Sequence, residues 1–398
     1  MYAPSLATRR PHLWRLVKPL LWPVATLSPV LPLFSLAHLH PLVGSLGWWL
    51  PVLGVLTVIP AADWLAGSDH ANPPDAAART GRAGAYHRWC TYLFVPLQYL
   101  SLLWVCHQWA SPQLSPADRA GLALAAGWVG ALGLNVAHEL GHTSEKAERL
   151  LSRLALAQIA YGHFRIAHNR GHHVRVATPG DPSSARLGES FWRFLPRVVA
   201  GRLTDSWHSE ARRLARRGRS RFDVHNDVLG SWTLTLLLHA GLVLAFGPGI
   251  APYLVLQAAF GICVVETGAY MDHYGLLRRR RPDGRYERPA YGHSWNSDAI
   301  VSSVLLFQSQ RHSDHHVHPL HPYPVLRTWQ EAPQLPAGFV GMALLAWLPP
   351  LWRRVMDPKV LARYDGDLAL ANVHPPARAR LTARFGAWAV SGGSCSAP

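Results

Sequence analysis

The chain contains 23 histidines, and nine of them lie in short clusters whose spacing is typical of metal ligands. The first cluster is His138-Glu139-Leu140-Gly141-His142, which matches the pattern H-E-x-x-H. On a helix, residues four apart share one face, so both imidazoles can bind one metal ion while the glutamate acts as a base or orients a ligand. Taken alone, this motif predicts a zinc metalloprotease.

Three further motifs carry histidines near the ends of apolar segments. They read H-x-x-x-H-H at 168–173, D-H-Y at 272–274 and H-x-x-H-H at 312–316. Zinc takes three or four protein ligands, so nine histidines are too many for one zinc ion, whereas two metals with four or five imidazoles each account for them. The candidate metal ligands are His138, His142, His168, His172, His173, His273, His312, His315 and His316.

The ligand chemistry narrows the choice of metal. Imidazole suits iron, copper, zinc and nickel, whereas magnesium and calcium prefer oxygen ligands, which are sparse here. Two iron ions are favoured because a nitrogen-rich site with open coordination positions can bind and activate dioxygen. Copper remains an alternative metal on the same grounds. Glu139, Asp272 and Asp314 are candidates for holding ligand N–H groups or relaying protons, or are simply solvated or helix-capping carboxylates. His163 and His293 are candidates for residues that surround the metal ligands or deliver protons.

The composition predicts a membrane protein. Of 398 residues, 49% are hydrophobic and only 16% are charged, which is too apolar for two or three soluble domains. The four cysteines form no C-x-x-C pair, which excludes a zinc ribbon, a rubredoxin-like iron site and a disulfide framework.

The apolar runs predict an all-α integral membrane protein with six transmembrane helices. About 20 residues cross a hydrocarbon layer of about 30 Å, and the runs have about this length. The predicted spans are residues 19–39, 42–62, 90–110, 121–137, 231–246 and 250–271. They belong to one predicted membrane domain, 19–376, between an N-terminal segment, 1–18, and a partly disordered tail, 377–398. A proline-interrupted stretch, Gly338 to Trp352, is predicted to lie at the membrane interface.

The basic residues predict the orientation of these spans. The net charge is +16, and the arginines are concentrated in segments 1–18, 63–89, 139–230 and the region after residue 271. By the positive-inside rule these segments are cytoplasmic, which places all nine histidines on the cytoplasmic side of the inner membrane. Because the basic residues lie in blocks between apolar runs, we expect no nucleic acid partner. No cleavable signal peptide is evident.

The three histidine clusters resemble the histidine boxes of the integral-membrane di-iron alkane 1-monooxygenases, within the fatty acid desaturase/hydroxylase-like superfamily. The resemblance extends from about Trp22 to Gly366. The third box is especially specific for this family, because desaturases share its histidine spacing but not the sequence that follows, Ala332-Pro333-Gln334-Leu335-Pro336. Other similar segments are Tyr161–Phe164, Val176–Pro182, His293–Ser297 and Met356–Val360.

The resemblance implies a function that the spacing alone does not give. It implies six helices, two irons at the cytoplasmic end, and hydroxylation of n-alkanes to 1-alkanols with dioxygen. It also implies reduced rubredoxin as electron donor, with a rubredoxin reductase upstream; since the chain lacks a C-x-x-C pair, this donor is expected to be a separate protein. The predicted cytoplasmic arginines at 212–221 and 278–281 could steer an acidic donor, or they set topology and touch anionic lipid.

The chain departs from the family pattern beside the boxes. Ala167 stands where glutamate is usual, Ala269 and Asp272 replace asparagine and glutamate, and Asp298-Ala299 replaces Asn-His. None of these changes removes a candidate ligand. They fall where residues that orient the imidazoles are expected, so activity or substrate range is expected to differ from that of better-known members.

Three alternatives stay open at this stage. A membrane fatty acyl desaturase shares the histidine boxes, an intramembrane zinc protease would use only the first box, and a metal transporter would place histidines along its spans.

Candidate walls for an alkane channel are Leu53–Ile59, Leu93–Val105 and Leu254–Ile262, which equally fit lipid-facing helices.

Overall fold

The described part of the chain folds into helices of very different lengths. The computed structural model describes residues 11–30, 38, 42–74 and 84–385. Within these ranges, strand-like pairing is limited to isolated bridges. The α-helices are α1 (Pro11–Val17), α2 (Trp22–Leu27), α3 (Leu50–Ala66), α4 (Ala85–Ala110), α5 (Pro116–Gly141), α6 (Lys146–Ala157), α7 (Phe164–Ala167), α8 (His173–Arg175), α9 (Phe191–Ala215), α10 (Asp227–Phe246), α11 (Ala251–His273), α12 (Ile300–Leu305), α13 (His312–Val317), α14 (Phe339–Ala346), α15 (Pro349–Arg363) and α16 (Arg378–Phe385). A π-helical turn, His168–His172, joins α7 to α8. Short 3-10 turns lie at Lys18–Leu21, Gly44–Trp48, Pro248–Ile250, Tyr291–His293, Tyr323–Val325 and Pro375–Ala377.

Four helices are long and apolar enough to cross a membrane. They are α4, α5, α10 and α11, the last extended by the turn that begins at Pro248. At 20 to 26 residues each, they reach about 30 Å or more at a rise of about 1.5 Å per residue. They coincide with the predicted spans 90–110, 121–137, 231–246 and 250–271, which are therefore confirmed as long apolar helices.

The other two predicted spans are less complete in the structure. The span predicted at 42–62 contains a 3-10 turn followed by α3, an apolar helix of 17 residues. The span predicted at 19–39 contains the end of a 3-10 turn followed by α2, but residues 31–37 and 39 lie outside the described residues. Four of the six predicted spans are therefore helices long and apolar enough to cross a membrane, and the six-span topology stays a prediction.

Helix caps set the ends of the long helices. Ser115 and Asp118 form a capping box: the Ser115 hydroxyl accepts the Asp118 N–H at 3.2 Å, and Asp118 accepts the Ser115 N–H at 3.0 Å. Asn226 begins α10 by accepting the N–H groups of Val228 and Leu229. These caps satisfy backbone donors that have no partner within the helix.

Helices α5 and α11 pack against each other at the centre of the bundle. A Cβ atom on Gly127 of α5 would lie only 2.9 Å from the backbone oxygen of Gln257 in α11, so this approach requires a glycine. Close packing through small residues is typical of helices in membranes. The ends of α5 and α11 carry His138 and His273, so this contact also holds two candidate metal ligands near each other.

A hydrophobic core joins α9, α11 and α15. It includes Phe191 and Phe194 of α9, Tyr270 of α11 and Trp352 of α15, all fully buried. The apolar stretch 338–352 is divided between α14 and α15, so neither helix is an apolar span; its interfacial position stays a prediction. The predicted tail begins with α16, and residues 386–398, which include the predicted disordered end, lie outside the described residues.

Candidate metal centre

The first two histidines of the centre sit at the end of α5. His138 lies in the last turn of the helix and His142 caps it. As expected for residues four apart on a helix, their rings lie together, with centroids 5.0 Å apart.

The second cluster lies on the π-helical turn His168–His172. The backbone N–H of His173 bonds to the oxygen of His168, five residues earlier. This wider turn brings residues five apart onto one face, and the Nε2 atoms of His168 and His173 lie 2.9 Å apart. His172 points elsewhere, and its Nε2 lies 3.2 Å from Nε2 of His316. One turn of helix therefore supplies ligands to two different sites.

The third cluster forms helix α13 and is divided in the same way. His312 and His316, four apart, have Nε2 atoms 3.0 Å apart. Between them, His315 points to the other side, and its Nε2 lies 3.1 Å from Nε2 of His173. His273, the last residue of α11, joins the group of His312 and His316, with ring centroids 5.2 and 5.1 Å away.

The nine predicted ligands thus form two adjacent groups. Within each group, one nitrogen from every ring lies within 4.8 Å of the others. The five-histidine group contains His138, His142, His168, His173 and His315. The four-histidine group contains His172, His273, His312 and His316. Nitrogens held about 2.1 Å from one metal at right angles are about 3 Å apart, and the closest pairs in both groups have this separation.

Unpaired nitrogens in both groups fit a bound metal. Nε2 of His142 and Nε2 of His273 are buried and have no hydrogen-bond partner among the described residues. Burying a polar atom without a partner is costly, and a metal ion would supply that partner. The donor set, all imidazole nitrogen, suits iron, copper, zinc or nickel.

Burial keeps the imidazoles neutral. For the six that lie outside the long apolar helices, burial lowers the pKa far below its usual value, and the charges of neighbouring imidazoles lower it further. These six are His142, His168, His173, His312, His315 and His316. A neutral imidazole has a free lone pair, which is the form that binds metal.

A carboxylate outside the predicted set orients one ligand. Oδ2 of Asp181 lies 2.8 Å from Nδ1 of His172 and accepts the hydroxyl of Ser184 at 2.7 Å. Burial alone would raise the pKa of Asp181, but the electrostatic interaction with His172 and these hydrogen bonds outweigh it and hold that pKa below its usual range. The carboxylate is thus ionised and fixes the ring so that Nε2 faces the four-histidine group.

The predicted outer residues His163 and His293 differ in their contacts. His293 contributes its backbone oxygen, which lies 3.1 Å from Nδ1 of His273, while its own ring contacts Glu287 at 3.2 Å. His163 packs against Tyr161 and Trp232 and joins neither group. A role in orienting a ligand is supported for the backbone of His293 only.

The three predicted carboxylates also occupy different places. Oδ2 of Asp272 lies 3.7 Å from Nε2 of His312. Glu139 accepts the N–H of Tyr323 at 3.0 Å and lines a small cavity beside His138. Asp314 accepts bonds from the loop that follows α13, including Trp329 Nε1 at 2.8 Å and the N–H of Arg327 at 3.0 Å. Asp272 therefore lies beside a candidate ligand, and Asp314 anchors a loop.

A further group of candidate ligands comprises Asp314, His318 and His321. The rings of His318 and His321 stack nearly parallel, with centroids 4.6 Å apart and an interplanar angle of 10°. An imidazole lone pair lies in the plane of its ring, so two stacked rings do not point at the same ion. This group is a hydrogen-bonded structural cluster in the observed geometry.

A cavity of about 140 Å³ adjoins the two groups. Five candidate ligands, Asp272 and Arg202 line one part of it. The rest is mainly apolar, with Trp128, Leu132 and Phe339 among the lining residues. None of the three wall segments expected from the sequence contributes to it. The apolar wall comes from the later turns of α5 and α11 and from α14.

Three of the sequence departures lie beside this site. Ala269 and Asp272 line the cavity, and Ala167, which is buried, immediately precedes His168. Asp298 lies further out, where its Oδ2 accepts the hydroxyl of Thr328 at 2.8 Å and its Oδ1 lies 3.5 Å from Arg311, the residue before α13. Asp298 therefore contacts the residue that precedes the third histidine cluster and none of the candidate ligands named above.

Comparison with known proteins agrees with this architecture. A sequence profile of the fatty acid desaturase family matches residues 119–352. The alkane 1-monooxygenase of Acinetobacter baylyi is 40% identical over 329 residues, which cover 83% of this chain and 81% of that protein. Alkane 1-monooxygenase 1 of Alcanivorax borkumensis is 39% identical over 383 residues, covering 95% and 92%. The alkane 1-monooxygenase of Ectopseudomonas oleovorans is 40% identical over 374 residues, covering 93% and 92%.

The apolar helices and the histidine groups define a helical membrane protein with a histidine-rich metal site, of the fatty acid desaturase type. Because relatives of about 40% identity match most of its length, the chain belongs to the alkane 1-monooxygenase family. The resemblance read from the histidine boxes is confirmed, and the chain is an oxygenase enzyme.

Proposed function

We propose that this enzyme hydroxylates the terminal methyl group of medium- and long-chain n-alkanes at a centre of two iron ions. The reaction consumes one alkane, one dioxygen, two electrons and two protons, and it yields one 1-alkanol and one water. The observation that carries the proposal is the pair of adjacent histidine groups at the end of an apolar cavity, in a chain whose relatives are named alkane 1-monooxygenases.

The five-histidine group would hold one iron and the four-histidine group the other. When bound, the two irons supply the binding and activation of dioxygen, which acid–base side chains cannot provide for an unactivated C–H bond. The protein's part is to hold nine imidazole nitrogens in place, with Asp181 and the backbone oxygen of His293 fixing two of the rings.

The cavity would orient the alkane. Trp128, Leu132 and Phe339 provide apolar surface for the chain, and His138 and Asp272 line the same cavity. A bound chain with its methyl group toward the histidines would exclude water from the reacting end. Holding substrate and oxidant in a fixed geometry is a large part of what an enzyme contributes.

Asp272 and Glu139 are the proposed proton carriers. Asp272 lines the cavity beside His312, and Glu139 lines the small cavity beside His138 and His315. Each carboxylate lies close enough to exchange protons through a water molecule. Asp314 is proposed only to position α13, because its oxygens accept bonds from the following loop.

The finer topology also belongs to the proposal. Six spans would cross the inner membrane within one domain, 19–376, and the histidines would lie on the cytoplasmic side. Separate rubredoxin, reduced by a rubredoxin reductase, would deliver the electrons. The arginines of 212–221 support such a docking surface because most of them are exposed, whereas Arg278 is buried and bonds to backbone oxygens.

A membrane desaturase or a related di-iron lipid hydroxylase is the second candidate. The match to the desaturase profile favours it, because the two chemistries share their metal ligands. A zinc protease has less support, since His138 and His142 belong to a group with three other histidines.

Two measurements test the proposal. Metal analysis of the purified protein should find about two irons per chain, and one zinc without iron would contradict it. Membranes supplied with reduced rubredoxin, dioxygen and deuterated n-octane should form deuterated 1-octanol. Formation of an alkene alone would favour the desaturase.

A matched pair of histidine variants links activity to the centre. His312→Ala should abolish turnover, whereas His225→Ala, at an exposed histidine paired with Asp223, should not change it. Equal activity of both variants would remove His312 from the proposed site.

A further inference from the structure

A buried ion pair borders the cavity next to the metal centre. Oε1 of Glu266 in α11 lies 2.9 Å from Nε of Arg202 in α9, and the Tyr161 hydroxyl donates to the same oxygen at 2.9 Å. Arg202 is 3% exposed and Glu266 is fully buried. Arg202 lines the cavity, whereas Glu266 lies behind it as the counter-charge.

The guanidinium of Arg202 is held at the histidine end of this cavity. Its central carbon lies 4.6 Å from the ring centroid of Phe164, and Phe164 stacks on His168 with centroids 5.3 Å apart and an angle of 13°. Phe164 and His168 line the cavity as well. A positive charge therefore lies where the reacting end of a substrate chain must come.

This charge is incompletely paired. Nη1 of Arg202 is buried and has no hydrogen-bond acceptor among the described residues. A buried donor without an acceptor is costly, and an alkane offers no acceptor. The oxygen of a 1-alkanol does, and it would lie at the end of the chain that faces the histidines.

We propose that Arg202 forms a binding site for an oxygen atom at the reacting end of the chain, so that the cavity binds 1-alkanols more tightly than alkanes of equal length. The proposal rests on the terminal hydroxylation described above. Its consequence is product retention: a newly formed 1-alkanol leaves the cavity more slowly than an alkane does, and added 1-alkanol competes with substrate.

Binding of radiolabelled 1-octanol to the purified enzyme in lipid nanodiscs tests this directly, with protein-free nanodiscs used to subtract partitioning into lipid. Arg202→Met should weaken 1-octanol binding about tenfold or more, the effect of losing a hydrogen bond to a charged group. It should leave n-octane binding within about twofold, because n-octane cannot accept that bond. If Arg202→Met weakens the binding of 1-octanol and n-octane equally, or weakens neither, the proposal is overturned.

Arg197→Met is the matched control. Arg197 lies on the same helix, its guanidinium packs over Phe194 at 5.2 Å, and it pairs with Glu189 at 2.8 Å, but it does not line the cavity. It should leave the ratio of 1-octanol to n-octane affinity unchanged. An equal change of that ratio in both variants would show a general loss of packing and would overturn the assignment.

Removing Arg202 alone leaves Glu266 as an unpaired buried charge, which can prevent folding. The double variant Arg202→Met/Glu266→Gln removes both charges and keeps the test possible. If it retains the wild-type metal content but binds 1-octanol as tightly as the wild type, a water molecule is the true partner of Nη1 and the proposal fails. Arg202→Lys, which keeps a charge but loses the planar fork, should give intermediate affinity.

Inhibition kinetics separate this proposal from the hydroxylation itself. With deuterated n-octane as substrate and unlabelled 1-octanol as inhibitor, the inhibition constant should rise about tenfold in Arg202→Met while the KM for octane changes little. If the enzyme hydroxylates octane but the inhibition constant of 1-octanol is the same in Arg202→Met and the wild type, only this proposal fails. Arg202-dependent 1-octanol binding in a protein that does not hydroxylate alkanes would defeat the proposed function alone.

Discussion

Oδ2 of Asp181 lies 2.8 Å from Nδ1 of His172, and both side chains are buried. The turn that carries Asp181 thereby fixes the orientation of a candidate ligand nine residues earlier. Asp181→Asn keeps the size of the side chain but removes the charge, so we expect metal affinity at the four-histidine group to fall by about 10- to 100-fold.

Metal competition with a chelator measures that loss. Asp205→Asn is a suitable control, because Asp205 is a partly exposed carboxylate that pairs with Arg175 and touches no candidate ligand. Unchanged metal affinity in Asp181→Asn would show that His172 does not depend on this partner.

The division into five and four histidines predicts the metal content of single variants. His142→Ala removes one ligand of the five-histidine group and His273→Ala one of the four-histidine group. Each should lower the metal content from about two to about one per chain, as measured by mass spectrometry of the purified protein. The two variants should lose metals of different affinity, because the remaining groups have different numbers of ligands. Full occupancy in either variant would remove that histidine from the ligand set.

The histidine boxes could be found from the sequence because ligands at i and i+4 repeat on a helix. Their division into two groups could not, because it depends on the π-helical turn at 168–172 and on the opposite directions of His315 and His316 in α13. Asp181 was missed because its contact arises from a turn, which leaves no periodic signal. Its only trace was the segment Val176–Pro182, which resembled the family without indicating a role.

The ends of the helices and the residues of the cavity wall could not be predicted from the hydrophobic pattern of the sequence either. The span predicted at 121–137 ends where polar residues begin, but helix α5 runs from Pro116 to Gly141 because a capping box starts it early and His138 continues it. None of the candidate channel-wall segments lines this cavity, since an apolar run looks the same whether it faces lipid or a cavity. Burial and proximity, which only the fold provides, distinguish the two.

The buried histidines predict how stability depends on pH in the metal-free protein. In the folded state, burial lowers the pKa of His168, His312 and His316, among others, far below the ordinary value of 6.5. Below pH 6.5 the unfolded chain therefore binds protons that the folded protein does not, and the free energy of unfolding decreases. Each such histidine contributes up to about 1.4 kcal/mol per pH unit.

Thermal unfolding of the chelated enzyme between pH 7.5 and pH 5.5 checks this. The midpoint should fall as the pH falls, and His168→Phe should make the fall shallower because one such group is removed. The wild-type protein under the same conditions is the reference for this slope. A midpoint that is constant, or that rises on acidification, would mean that the folded protein accepts these protons.

Two glycines on apolar helices should respond in opposite ways to the same substitution. A Cβ on Gly127 of α5 would lie 2.8 Å from Cδ1 of Phe260 and 2.9 Å from the oxygen of Gln257, whereas a Cβ on Gly241 of α10 would have no atom within 4 Å. Gly127→Ala should force α5 and α11 apart and cost about 1–3 kcal/mol. Gly241→Ala adds no clash and should stabilise its helix by up to about 1 kcal/mol.

Denaturant unfolding in detergent measures both changes. Because α5 and α11 carry His138 and His273, Gly127→Ala should also lower metal content, which Gly241→Ala should not. Equal stability of the two variants would show that the helices tolerate wider spacing, and the metal groups would then be held by their surrounding loops instead of by this helix contact.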